Sequence, residues 1–139
     1  MRPNILNPLF APITSLPGIG QRLAKAVEKL AGPLVVDLLW HLPTGLIDRR
    51  NQPHLSTAAD GAIVTVVVKV ERHMKGHNPR APYKVRCSDS TGFLDLVFFN
   101  ARGDYLEKTL PVGSMRAVSG RVERYDGMLN MVHPDHMVP

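Results

Sequence analysis

Cys87-Ser-Asp-Ser-Thr-Gly-Phe-Leu-Asp-Leu-Val-Phe-Phe-Asn100 reads as two strands folded about a polar turn, with an aromatic pair at the far end. Ser88 to Gly92 is rich in residues that favour tight turns, and Gly92 is free to take positive φ. Beyond the turn, Leu94, Leu96 and Phe98 fall on one face at the strand period of two, and Phe93, Asp95, Val97 and Phe99 fall on the other. The unbroken apolar set is the expected core face. An unpaired buried carboxylate is costly, so Asp95 marks its own face as partly wet, and Phe99 shares that face. Upstream, Tyr83 to Cys87 alternates in the same way and sets Lys84 and Arg86 opposite Tyr83, Val85 and Cys87. An exposed aromatic beside a basic strand is the combination that binds single-stranded nucleic acid.

Working outward, the 139-residue chain has room for one domain with a smaller subdomain attached, and none for a motor. Its 44% hydrophobic and 21% charged residues exclude a disordered chain. A net charge of +5 favours an anionic partner. The excess is concentrated, with Lys69, Arg72, Lys75, Arg80, Lys84 and Arg86 set against the one acid Glu71. The single Cys87 excludes an internal disulfide and fits a reducing compartment. No signal peptide and no apolar run of membrane-spanning length is found.

Pro3, Pro8 and Pro12 allow only short helical turns at the start. Leu16-Pro-Gly-Ile-Gly20 then precedes a predicted helix over 21–31, and a second helix is predicted over 35–42, with Trp40, Leu46 and Ile47 as docking residues. A polar, proline-terminated stretch follows, and the reading divides the chain into a helical subdomain, 1–57, and a second domain, 58–139. That domain shows a β-branched strand over 62–70, a basic loop, the two strands about Gly92, a short helix over 101–110, a strand over 115–124, an Asp126-Gly127 hairpin signal and a strand over 128–132. Five strands with one helix between the third and fourth predict a mainly β protein, a Greek-key OB-fold barrel. The second and third strands of such a barrel, with the adjoining loops, bind oligonucleotides.

The candidate chemistry is recognition, not catalysis. Gly18 and Gly20 resemble the hairpin of a helix-hairpin-helix motif, where backbone N–H groups approach a phosphate; a purely structural turn is the alternative. Phe99 either stacks on an unpaired base or packs against the 101–110 helix or the N-terminal helices, and Tyr105 on the 101–110 helix is a second aromatic candidate. Phe93 and Tyr125 read as edge packing. His73 and His77 read as solvated or phosphate-facing loop residues, and no His, Cys or carboxylate set has metal-ligand spacing. No phosphate loop or activated nucleophile occurs, so no catalytic residue, metal or cofactor is expected in this chain.

Taken in order, Ser15-Leu-Pro-Gly-Ile-Gly20, Asp37-Leu-Leu-Trp-His-Leu-Pro43, Asp48-Arg-Arg50, Ser88-Asp-Ser-Thr-Gly92, Leu96-Val-Phe-Phe-Asn100, Val118-Ser-Gly-Arg-Val-Glu-Arg124 and Met131-Val-His-Pro134 resemble the N-terminal wedge domain of the RecG family of bacterial ATP-dependent branched-DNA helicases. The resemblance spans nearly the whole chain. It implies an OB-fold wedge at the branch point of a stalled replication fork or Holliday junction, in recombination and repair. It also implies helicase motor domains outside this chain, which bind ATP and Mg. By position, Phe99, with Phe98 beside it, and Tyr105 are the implied base-stacking residues; Lys84, Arg86, Arg72, Lys75 and Arg80 are the cationic surroundings that the charge pattern supplies. Implied partners are branched DNA, the motor domains and a single-strand-binding protein, in the bacterial cytoplasm at the nucleoid. An OB-fold protein-interaction module and a general single-stranded nucleic-acid-binding domain stay open as alternative readings.

Overall fold

Prolines keep the first residues of the computed structural model, which describes residues 1–139, out of α-helix. Asn4–Phe10 and Ile13–Ser15 form 3-10 turns instead. Two helices follow, α1 (Gln21–Leu30) and α2 (Val35–Trp40). The Leu34 amide at the start of α2 donates to the Asp37 carboxylate at 2.9 Å, which satisfies one of the orphan donors of a helix N-terminus. The Ile13 amide donates to Pro33 O and the Val35 amide to Ala11 O, so the turns and helices close on one another around the fully buried Ile13. The second helix stops short of its predicted end because a residue before proline, here Leu42, disfavours helical ψ. Trp40, Leu46 and Ile47, expected as docking residues, are exposed.

The chain forms two compact units, Met1–Leu46 and Ile47–Pro139. The division therefore falls earlier than the 57/58 boundary read from the sequence. Residues 47–57 adhere to the second unit: Leu55 is buried in its core, the Leu55 amide donates to Asp89 at 2.8 Å, and Arg49 donates to Ser119 at 2.8 Å and to Asp135 at 3.0 Å.

Within this second unit the strands are β1 (Ile63–Met74), β2 (Tyr83–Ser88), β3 (Phe93–Phe98), β4 (Met115–Tyr125), β5 (Met128–Val132) and β6 (His136–Val138), with helix α3 (Gly103–Thr109) between β3 and β4. Consecutive strands β1, β2 and β3 pair antiparallel, β3 pairs in parallel with β5, and β4 pairs with both β5 and β1. The result is a closed five-stranded barrel of OB-fold type. Its interior is the alternating apolar set: Val64, Val66, Val68 and Val70 from β1, Tyr83, Val85 and Cys87 from β2, and Leu94, Leu96 and Phe98 from β3. Leu106 and Leu110 of the α3 region enter the same core. Asp126 and Gly127 both have positive φ, as a type I′ hairpin turn between β4 and β5 requires. The short β6, not foreseen from the sequence, pairs with β4 in the same direction as β5 after a break at His133-Pro134.

One irregularity decides which side chains face outward. The register of β1 on β2 slips between Val70 and Arg72, a bulge at Glu71. Before it, even-numbered residues point inward; after it, Arg72 pairs with Arg86 on the outer face and His73 with Val85 on the inner one. Without the bulge Arg72 would point into the barrel. The stretch read as the start of a flexible loop is thus the last turn of the pleat in a longer strand.

Candidate nucleic-acid interface

The outer face of β1, β2 and β3 is ordered in rows by the pairing. Arg72, Arg86, Asp95 and Asn130 form one row, and Met74, Lys84, Val97 and Val132 the next. In the first row Arg86 clasps Asp95 with two parallel bonds, Nε to Oδ1 at 2.8 Å and Nη2 to Oδ2 at 2.9 Å. Asp95 is consequently only 3% exposed. This corrects the reading of Asp95 as a marker of a wet face: a carboxylate can be buried when a fork-shaped donor on the neighbouring strand satisfies it. It also removes Arg86 from the free cations. Lys84 and Arg72 enter no ion pair.

Phe98 and Phe99 separate as their alternation predicts. Phe98 is 6% exposed and belongs to the core, so its ring is not free to stack beside Phe99. Phe99 is 47% exposed. Its backbone amide donates to His133 Nε2 at 3.2 Å, and the two rings lie 5.8 Å apart, tilted by 41°. The His133 ring also stands nearly perpendicular to that of Phe98, with centroids 6.1 Å apart, and its own amide donates to Val97 O at 2.8 Å. His133 is therefore a bracket for the end of β3. The sequence assigned His133 no place beside Phe99, because its spatial neighbours, 34 residues away, leave no local signal.

The remaining candidates surround this end of the barrel. Tyr105 stands 61% exposed on α3, whose Leu106 is turned into the core. Lys75 reaches Glu107 of α3 at 3.1 Å and stays largely exposed. Arg80 is exposed at a turn in which Asn78 Oδ1 accepts from the Arg80 and Ala81 amides at 3.0 and 2.8 Å. His73, read as solvated or phosphate-facing, is instead a structural link: Nε2 meets Leu110 O at 2.7 Å and Nδ1 meets the Tyr83 hydroxyl at 2.8 Å. A carbonyl only accepts, so Nε2 carries a proton and donates to Leu110 O. Cys87 is buried, and burial pushes its thiol up to about 12, which leaves it protonated and inert.

Two exposed aromatics were read as edge packing and are not. Phe93 is half exposed, and Tyr125, at the β4–β5 turn, is 79% exposed. Tyr125 borders a groove of about 250 Å³ shared with Lys84, Arg86 and Met128. The inward run Val118, Gly120, Val122 assigns Tyr125 to the outer side by parity alone, so that signal was in the sequence.

In the first unit Leu16, Pro17, Gly18 and Ile19 make a tight turn, with the Ile19 amide donating to Leu16 O at 3.2 Å and Gly18 at φ +86°. Pro followed by Gly of positive φ is the signature of a type II turn. Gly20 caps α1 in an extended conformation. Both glycines are exposed. No three His, Cys, Asp or Glu side chains gather to hold a metal ion, and no helix is long and apolar enough to cross a membrane.

Comparison with known proteins agrees with this architecture. The family model described as OB-fold nucleic acid binding domain matches residues 63–138. The ATP-dependent DNA helicase RecG of Aquifex aeolicus is 27% identical over 130 residues, covering 94% of this chain and 16% of the relative. The RecG of Escherichia coli is 28% identical over 127 residues, covering 91% of this chain and 18% of its own length. A solved structure of RecG bound to a three-way DNA junction superposes with a TM-score of 0.72 and 27% identity, over 94% of this chain and 18% of that one. The chain thus spans less than a fifth of the length of these relatives. It belongs to the OB-fold nucleic acid binding domain family and is homologous to the N-terminal OB-fold wedge region of the RecG helicases.

Proposed function

We propose that this chain is the branched-DNA-binding wedge of an ATP-dependent DNA helicase that remodels stalled forks and Holliday junctions. The observation that carries the reading is the likeness, over nearly the whole chain, to RecG bound to a three-way DNA junction. Phe99 stands at the exit of β3 as the stacking platform for a base at the point where strands part. Tyr105 is a second platform, and Arg72, Arg80 and Lys84 meet the diverging phosphates. Separating a base-pair step costs about 1.4 kcal/mol on average, and stacking one freed base on an aromatic ring returns about 1–3 kcal/mol. A single ring therefore offsets the opening of one step without catalysing anything. The Gly18–Gly20 hairpin adds a backbone phosphate contact. Motor domains elsewhere in the protein supply ATP, Mg and movement, single-strand-binding protein is a partner of the whole assembly, and the work is done in the bacterial cytoplasm at the nucleoid.

The test is the affinity of this chain for a three-way fork, a linear duplex and a single strand of matched length. The fork is expected to bind best. With three unpaired cations meeting phosphate, fork affinity falls roughly 40-fold between 50 and 200 mM salt. Phe99→Ala is expected to lower fork affinity about tenfold and to leave duplex affinity nearly unchanged. Equal affinity for fork and duplex overturns the wedge reading, and single-strand binding as tight as fork binding favours a general single-strand module instead.

A further inference from the structure

Beside Phe99 a cleft of about 320 Å³ opens between the β1–β2 loop, the end of β3 and the start of α3. Its floor is aromatic. Tyr83 and Phe98 are directly opposed across β2 and β3, and both are buried. Its rim is polar, formed by Lys75, Asn78, Asn100 and Asp104. Asn100 directly follows Phe99 in the chain, so the cleft opens one residue beyond the exposed ring, which does not itself line it.

The cleft is held open before any ligand arrives. Tyr83 is fixed by its hydroxyl bond to His73 at 2.8 Å, and His73 by its bond to Leu110 O at 2.7 Å. The loop is drawn tight at Gly76, where a Cβ would lie 2.6 Å from the Cβ of Ala81 and 2.8 Å from its carbonyl oxygen. The Lys75–Glu107 pair at 3.1 Å ties the loop to α3. Because Asn78 Oδ1 already accepts two amides, its NH2 group is left to donate.

We propose that this cleft holds one unpaired nucleobase, that of the nucleotide next to the one stacked on Phe99; the inference rests on the wedge reading. A cleft at the lower end of the roughly 300–1,000 Å³ range of small-ligand sites takes a single flat base and not a base pair. Only a strand already separated can fill it. The small parts of Tyr83 and Phe98 that reach the cleft floor supply apolar contact for the base, and Asn78 and Asn100 supply donors for its ring nitrogens and carbonyls. Asp104, the one carboxylate on the rim, accepts from the exocyclic amino group of cytosine or adenine. Thymine has no such group, so the cleft prefers an amino-bearing base.

The experiment uses forks in which each of the first three unpaired nucleotides is replaced in turn by an abasic residue. Two positions are expected to lose about tenfold in affinity when abasic. Phe99→Ala abolishes the sensitivity at one of them. Gly103→Leu abolishes it at the other, because a Cβ at residue 103 already lies 3.4 Å from the Tyr83 ring and a leucine there fills the space. Asn100→Gly serves as a second variant: it keeps the positive φ of 54° accessible, removes the amide, and lowers binding about threefold at the cleft position alone. Replacing cytosine by thymine at that position weakens binding of the unaltered chain, and Asp104→Asn erases the difference. The inference is overturned if Phe99→Ala alone removes all abasic sensitivity, or if Gly103→Leu and Asn100→Gly both leave it intact. A fork preference with only one sensitive position defeats the cleft and spares the wedge; no fork preference defeats both.

Discussion

Replacing Arg86 with alanine strands the Asp95 carboxylate, and the structure sets how much that costs. The Asp95 side chain is 5% exposed and has Arg86 as its hydrogen-bond partner, whereas the Arg86 side chain is 28% exposed. Removing one partner of a buried pair costs about 3–5 kcal/mol when the other charge is left without water. Arg86→Ala is such a case. Asp95→Ala is not, since the guanidinium left behind keeps contact with solvent; its cost is expected at about 1–2 kcal/mol. The double change Arg86→Met with Asp95→Leu removes both charges and restores stability to within about 1 kcal/mol of the parent. Urea unfolding measures all three. For a unit of this size the Arg86→Ala deficit lowers Tm by roughly 4–8 °C per kcal/mol. If Arg86 is committed to Asp95, the double variant also keeps most of its fork affinity. Equal costs for the two single alanine variants, or a double variant as unstable as Arg86→Ala, would refute the assignment of the pair as a buried clasp.

Other perturbations follow from particular contacts. Burial alone would raise Asp89, but its bonds from the Thr91 hydroxyl and from the Leu55, Thr91 and Gly92 amides outweigh burial and hold the carboxyl below its ordinary value. Its contribution is therefore complete above the unfolded value near pH 4 and is lost as pH falls through the lower folded value. Asp89→Asn is expected to be less stable at pH 7 and to lose less on acidification, and urea titrations with identical pH slopes would count against this. Deleting residues 1–46 is expected to leave the barrel cooperative. Deleting residues 1–57 also removes the buried Leu55, worth about 1.5–3 kcal/mol, and lowers Tm further; equal Tm values contradict the 46/47 division. His73→Phe orphans Leu110 O and the Tyr83 hydroxyl, with an expected loss of about 1–3 kcal/mol in thermal or urea unfolding; an unchanged midpoint removes His73 from the framework.

Much of the barrel was legible because its signals are local. The period of two in Val64 to Val70, Tyr83 to Cys87 and Leu94 to Phe98 depends only on successive side chains pointing to opposite faces, and it separated Phe98 from Phe99 correctly. Asp126-Gly127 announced its turn because few residues accept positive φ at both central positions. Other features depended on partners distant in sequence. The bulge at Glu71, which turns Arg72 outward, exists only in the pairing of β1 with β2. The burial of Asp95 needs Arg86 on the neighbouring strand. The attachment of residues 47–57 needs Asp89, Ser119 and Asp135.

The sequence by itself determined the class of fold, the order of its strands, the position of its hairpins and an exposed aromatic at Phe99, since each follows from local alternation or from backbone freedom at named residues. The tertiary structure alone decided which cations are free and which are bound, where the barrel begins, that β3 closes on β5 in parallel, and that His133 brackets Phe99. Those outcomes depend on contacts between residues tens of positions apart, and a periodic pattern carries no record of which strand will lie beside it.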